Sequence, residues 1–92
     1  MSDNTERVKR MRQILESRFA PAELVIRDDS HLHVGHPGAR DGRGHFHVRI
    51  RAEAFAGKRP LARHRLVFEA LGEMMESDIH ALQIDAAAEE DN

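Results

Sequence analysis

The chain has 92 residues, a net charge of −2, and no cysteine, tryptophan or tyrosine. A chain this short builds one domain with a thin core, drawn here from Leu, Ile, Val, Met and four Phe, and without thiols no disulfide points to secretion. The start, Met1-Ser-Asp-Asn-Thr-Glu6, holds no apolar run, and no stretch reaches the roughly 20 apolar residues of a bilayer span, so a soluble cytoplasmic protein that avoids the membrane is expected.

In chain order, residues 5–19 read as a helix, because Val8, Met11, Leu15 and Phe19 recur at three- and four-residue spacing and form one apolar stripe. Asn4 or Thr5 is expected to cap it, and Pro21 to end it. Residues 23–28 hold Leu24-Val25-Ile26 between Pro21 and the turn formers Asp28-Asp29-Ser30, which predicts a strand. A glycine-rich loop then spans residues 29–44, longer than most hairpin connections. Residues 45–52 give a clear strand. Phe46, Val48 and Ile50 alternate with His45, His47, Arg49 and Arg51, which predicts one core face and one wet, cationic face.

Phe55-Ala-Gly57 predicts a turn, and residues 61–75 a second main helix with Leu61, Leu66, Val67, Leu71, Met74 and Met75 inward. Pro60 suits its first turn, and Gly72 is placed to end it early. After a break at Ser77-Asp78, residues 79–86 predict a last strand with Leu82 and Ile84 inside. The core is expected over about residues 6–86 as a single domain, with residues 87–92 as a disordered acidic tail. The link from the second strand to the third contains a helix, as a parallel crossover requires, while the first two strands suit an antiparallel hairpin.

That topology bears on the histidines. Four of the seven, His31, His33, His36 and His45, lie in or next to the glycine-rich stretch, and His80 stands near the start of the last strand. If the last two strands are parallel, the loop, His45 and His80 meet at one sheet edge. Neutral imidazoles there suit Zn, Fe or Cu, although the spacing His31-x-His33-x-x-His36 matches no closed zinc site. The stretch from Arg40 to Arg65 is also strongly basic, with eight Lys/Arg against Asp41 and Glu53, which suits a phosphate backbone or an acidic protein surface. No nucleophile or paired acid and base is evident, so catalysis is not expected.

Several blocks together resemble the BolA family: Asp28-Asp29-Ser30-His31-Leu32-His33, Gly44-His45-Phe46-His47-Val48, Phe55-Ala56-Gly57-Lys58, Leu61-Ala62-Arg63-His64-Arg65-Leu66-Val67 and Ile79-His80-Ala81-Leu82. The resemblance runs from about Glu6 to Ala86. It implies an α/β fold of the type II KH-like kind, ordered α-β-β-α-α-β, with a three-stranded mixed sheet covered on one face by helices and a short helix near Phe55. It also implies a partnership with a monothiol glutaredoxin. The pair bridges a [2Fe–2S] cluster, for which glutaredoxin and glutathione supply the thiols and the BolA member supplies histidine. The family's constant ligand falls on His80 and its loop ligand on His33, with His36 as the alternative. Such a chain holds no cluster alone, in keeping with its lack of cysteine, since Fe–S clusters are normally held by thiolates. Without its partner it is expected to be a monomer or weak homodimer.

The second family activity is transcriptional regulation through DNA, which Lys58, Arg59, Arg63, His64 and Arg65 would carry here. Gly57-Lys58-Arg59-Pro60 departs from the Gly-x-x-Gly clamp of KH domains, and no aromatic stacking platform is visible. The same arginines could dock the acidic or glutathione-bearing face of a glutaredoxin.

Overall fold

The computed structural model describes residues 4–30 and 44–89. Its elements are α1 (Asn4–Phe19), β1 (Glu23–Asp28), β2 (Gly44–Arg51), a 3₁₀ turn (Glu53–Phe55), α2 (Pro60–Ala70), α3 (Gly72–Ser77) and β3 (Ile79–Ala87). The sheet order is β1-β2-β3. β1 pairs antiparallel to β2 from Glu23↔Arg51 to Asp28↔Phe46. β3 pairs parallel to β2 from Gly44↔Ile79 to Arg51↔Ala87. Both pairings are those expected from the long first connection and the helical second one.

Register lines up three apolar rows on one face. Leu24, Ile50 and Ala86 form one row, and Ile26, Val48 and Ile84 the next. Phe46 and Leu82 continue the pattern. The helices cover this face. Met11 and Leu15 of α1, Val67 of α2, Leu71, and Met74 of α3 pack with Phe46, Val48, Ile50, Phe55 and Ile79 in one buried cluster. The short helix implied near Phe55 is a 3₁₀ turn, and the buried Phe55 ring lies 5.1 Å from that of Phe19. Burying a side chain of this size contributes about 2–3 kcal/mol, so the turn is pinned by its aromatic anchor rather than by its few hydrogen bonds.

Five expectations need correction. The predicted helix over 61–75 is two helices. Leu71 leaves helical geometry (φ −95°, ψ 12°), and Gly72 follows it. Leu71 N–H still donates to Val67 O at 3.1 Å and Met75 N–H to Leu71 O at 3.0 Å. The break is therefore a kink, which lets Leu71 and Met74 both reach the core. Leu61 is 62% exposed, not inward, because it lies about 120° around the helix from buried Val67. Asn4 is the first helical residue, and its amide bonds to Asp28 and Ser30 across the fold. His45 alternates onto the wet face but is buried. Finally, residues 87 and 88 are ordered, not tail: Ala87 ends β3 and Ala88 is 3% exposed, its carbonyl accepting from Arg51 Nη1 at 3.2 Å.

α1 ends where Ala20 turns left-handed at φ 44°, its N–H donating to Glu16 O at 3.0 Å. A Cβ in this region is strained, and glycine is not. Ala20→Gly should raise stability by about 1 kcal/mol, read as a higher denaturation midpoint at unchanged slope.

Candidate metal centre at the sheet edge

Because β2 and β3 are parallel, their first residues lie at one edge. His45 and His80 meet there, with ring centroids 5.1 Å apart and planes tilted by 55°. The pairing steps from Gly44↔Ile79 to His45↔Ala81, so β3 holds one extra residue, His80. Such a bulge re-aims a side chain and resets alternation. Here it lets Ile79 and Leu82 both serve the core while His80 stays exposed. His45 is 5% exposed beside it.

The backbone around His45 is held from both sides. Its N–H donates to Ser30 Oγ at 3.0 Å, and its carbonyl accepts from Asp29 N–H at 2.8 Å. Gly44 N–H donates to Asp78 O at 2.9 Å, which joins the start of β2 to the turn before β3. Ser30 N–H donates to Asp28 Oδ1 at 2.9 Å, an Asx turn that ends β1. A side chain at Gly44 would run into the Phe46 ring, so this position accepts only glycine. His31, His33 and His36 lie outside the described residues. The two positions that flank that stretch, Ser30 and Gly44, both sit at this edge.

Charges flank the imidazoles. Arg7 Nε pairs with Asp78 Oδ1 at 3.1 Å, and Arg10 approaches the other oxygen at 4.0 Å. The hydroxyl of Ser77, 2.8 Å from Asp78 Oδ2, together with Arg7 and Arg10, holds the Asp78 carboxyl below its ordinary pKa against some desolvation. On the helix-free face, Arg27 forms two bonds to Asp29, 2.7 and 3.1 Å, and approaches His47 Nδ1 at 2.9 Å. Asp29 raises the Arg27 pKa through this hydrogen bond and its charge. An arginine has only donors, so His47 Nδ1 must accept, and the proton of neutral His47 sits on Nε2.

The two imidazoles at this edge fit part of a metal or cluster site. Two imidazoles meet, one of them exposed, and the chain has no thiol. Among the described residues, no group of three or more His, Cys, Asp or Glu is arranged to hold a metal ion. Further ligands must come from residues 31–43 or from another molecule.

A family-wide sequence profile described as BolA-like protein matches residues 15–91. The chain belongs to the BolA family. It is 42% identical over 81 residues to protein BOLA1, chloroplastic, of Arabidopsis thaliana, covering 85% of this chain and 51% of that protein. It is 40% identical over 70 residues to the DNA-binding transcriptional regulator BolA of Vibrio cholerae, covering 76% of this chain and 63% of that one. The chain thus spans about half to two thirds of the length of these two relatives. Its fold matches the BolA domain of SufE1 from Arabidopsis thaliana with a TM-score of 0.79 at 39% identity, covering 89% of this chain and 91% of that one. The mixed sheet and one-sided helices are therefore the BolA fold. No helix among the described residues is long and apolar enough to cross a membrane.

Within this BolA fold, the basic set does not form one surface. Lys58 and Arg59 are exposed on the turn before α2. Arg63 points back into the protein, its Nε donating to Phe55 O at 3.1 Å and Nη1 to Ala86 O at 3.4 Å. It ties α2 to the 3₁₀ turn and to the end of β3. His64 is half-buried, and Arg65 is exposed in helical register with Leu61 and with Phe68, which is 38% exposed.

Asp78 gives a pH test. Its folded pKa lies below the unfolded one, so it stabilises the fold above the ordinary carboxylate range, and that contribution fades as pH falls through the range. Asp78→Asn should be less stable than the parent at neutral pH and begin to converge on it as pH falls below about 5, reaching it only below the lowered folded pKa, as read by denaturant midpoints.

Proposed function

We propose that this BolA protein is a non-enzymatic adaptor in iron–sulfur cluster assembly or trafficking. It would form a heterodimer with a monothiol glutaredoxin that bridges a [2Fe–2S] cluster. His80 is the fixed ligand, and His33, with His36 as the alternative, is the ligand from residues 31–43. One observation carries the reading: parallel pairing sets exposed His80 at the edge where that stretch begins and ends. The missing thiols agree with it, because the sulfur ligands then come from glutaredoxin cysteine and glutathione. The cluster is cargo shared between two proteins. Imidazole ligation raises its reduction potential relative to all-thiolate ligation and makes its retention sensitive to acid, since only neutral imidazole binds.

Reconstitution tests this directly. The protein is mixed with a monothiol glutaredoxin, glutathione, iron and sulfide, and visible absorption and circular dichroism are recorded. A spectrum distinct from that of the glutaredoxin homodimer is expected, and His80→Ala should abolish it. His33→Ala should weaken it more than His36→Ala. A spectrum identical to the glutaredoxin homodimer's, with no heterodimer, would sink the reading.

A second reading, DNA-binding regulation, is favoured by the name of the Vibrio cholerae relative and by the exposure of Lys58, Arg59 and Arg65. Phosphate contacts release counterions, so each one lost lowers the slope of log affinity against log salt by about 0.9. Arg65→Ala should lower that slope. Arg63→Ala should instead act mainly on stability, costing about 1–2 kcal/mol, because Ala86 O loses its arginine donor while Phe55 O keeps the N–H of Lys58. Equal and negligible effects of both on affinity would remove the DNA reading.

A further inference from the structure

Six residues at the imidazole edge close a hydrogen-bonded circuit that draws on α1, the end of β1, the start of β2 and the turn before β3. Asn4 Nδ2 donates to Ser30 Oγ at 2.9 Å. Ser30 Oγ accepts the N–H of His45 at 3.0 Å. The adjoining Gly44 N–H donates to the Asp78 carbonyl at 2.9 Å. The Asp78 carboxylate accepts from Arg7 Nε at 3.1 Å, and Arg7 Nη1 returns to Asn4 Oδ1 at 3.0 Å. Asn4 Nδ2 also donates to Asp28 Oδ2 at 3.0 Å, so both amide hydrogens and the amide oxygen are committed. Asn4 is the one side chain in the circuit that reaches both arms: the Ser30 arm that fixes the backbone of His45, and the Arg7 arm that fixes Asp78, two residues before His80. Residues that orient metal ligands from behind usually act through such hydrogen bonds.

We propose that Asn4 is a positioning residue for the His45–His80 edge, setting the approach of the two rings and with it the readiness of His80 to accept a shared cluster. The second half of this claim rests on the adaptor reading above. Alanine breaks both arms. Aspartate keeps the Arg7 contact, loses both donors, and sets a second carboxylate against Asp28.

The test compares Asn4→Ala and Asn4→Asp with the parent and with Ile50→Val, a mild core change on the central strand away from the imidazole edge. The first readout needs neither metal nor partner: the nuclear Overhauser effect between His45 and His80 ring protons. The second is the apparent affinity of the chain for the cluster-loaded glutaredoxin, read by the circular dichroism of the heterodimer. Both Asn4 variants should lose most of the ring–ring effect and about tenfold in affinity, the scale seen when residues behind metal ligands are removed. Ile50→Val should leave both readouts unchanged. The proposal is overturned if Asn4→Ala keeps the parent ring–ring effect, if it binds the loaded glutaredoxin within twofold of the parent, or if Ile50→Val matches its losses. A parent chain that forms no heterodimer overturns the adaptor reading and the second half of this proposal, while the ring–ring effect still decides the first half.

Discussion

Parallel pairing of β2 with β3 requires the chain to leave one end of the sheet, cross a face and return to the end where β2 began. Everything distinctive about this protein follows from that return. The crossover supplies the 3₁₀ turn, α2 and α3, whose apolar sides seal the face bearing Phe46, Val48 and Ile50. It also sets the first residues of both strands side by side, so His80 meets His45 across a sequence separation no local rule could bridge. An antiparallel third strand would have put His80 at the opposite end, beside Arg51.

The edge so formed combines one exposed imidazole with a tightly held backbone. The bulge in β3 frees His80 from the alternation that Ile79 and Leu82 impose. Behind it, Asp28, Ser30, Asp78, Arg7 and Asn4 satisfy one another and the backbone of His45 and Gly44. Each bond contributes about 1 kcal/mol. Their joint effect is to fix where the two strands begin relative to α1. An imidazole on such a frame has little ordering left to do on binding, which is how preorganisation improves affinity.

The opposite end of the sheet is secured differently. Arg63 and Arg51 spend donors on the carbonyls of Ala86 and Ala88, so two cations of a strongly basic segment hold the end of β3. Exposed Lys58, Arg59 and Arg65 remain, and Leu61 and Phe68 flank Arg65 on α2. A surface mixing large apolar side chains with arginine has the composition of a protein-docking face as much as of a phosphate-binding one.

Periodicity in the sequence was enough to determine α1, the three strands, the parallel crossover and the core stripe Met11, Leu15, Phe46, Val48, Ile50, Val67, because each is a short-range pattern of apolar residues. Five sequence blocks, rather than periodicity, carried the resemblance that marks the family, and His80 stands out only as what that resemblance implies. Only the tertiary structure decided that the second helix kinks at Leu71, that Leu61 faces out, that His45 is buried, that Arg63 is a strut, and that Asn4 leaves its cap position to reach Ser30. These features depend on partners 8 to 26 residues away or on which side of a helix finds the core first. A sequence displays spacing along the chain, whereas burial and hydrogen bonding are settled by neighbours that only the folded chain brings together.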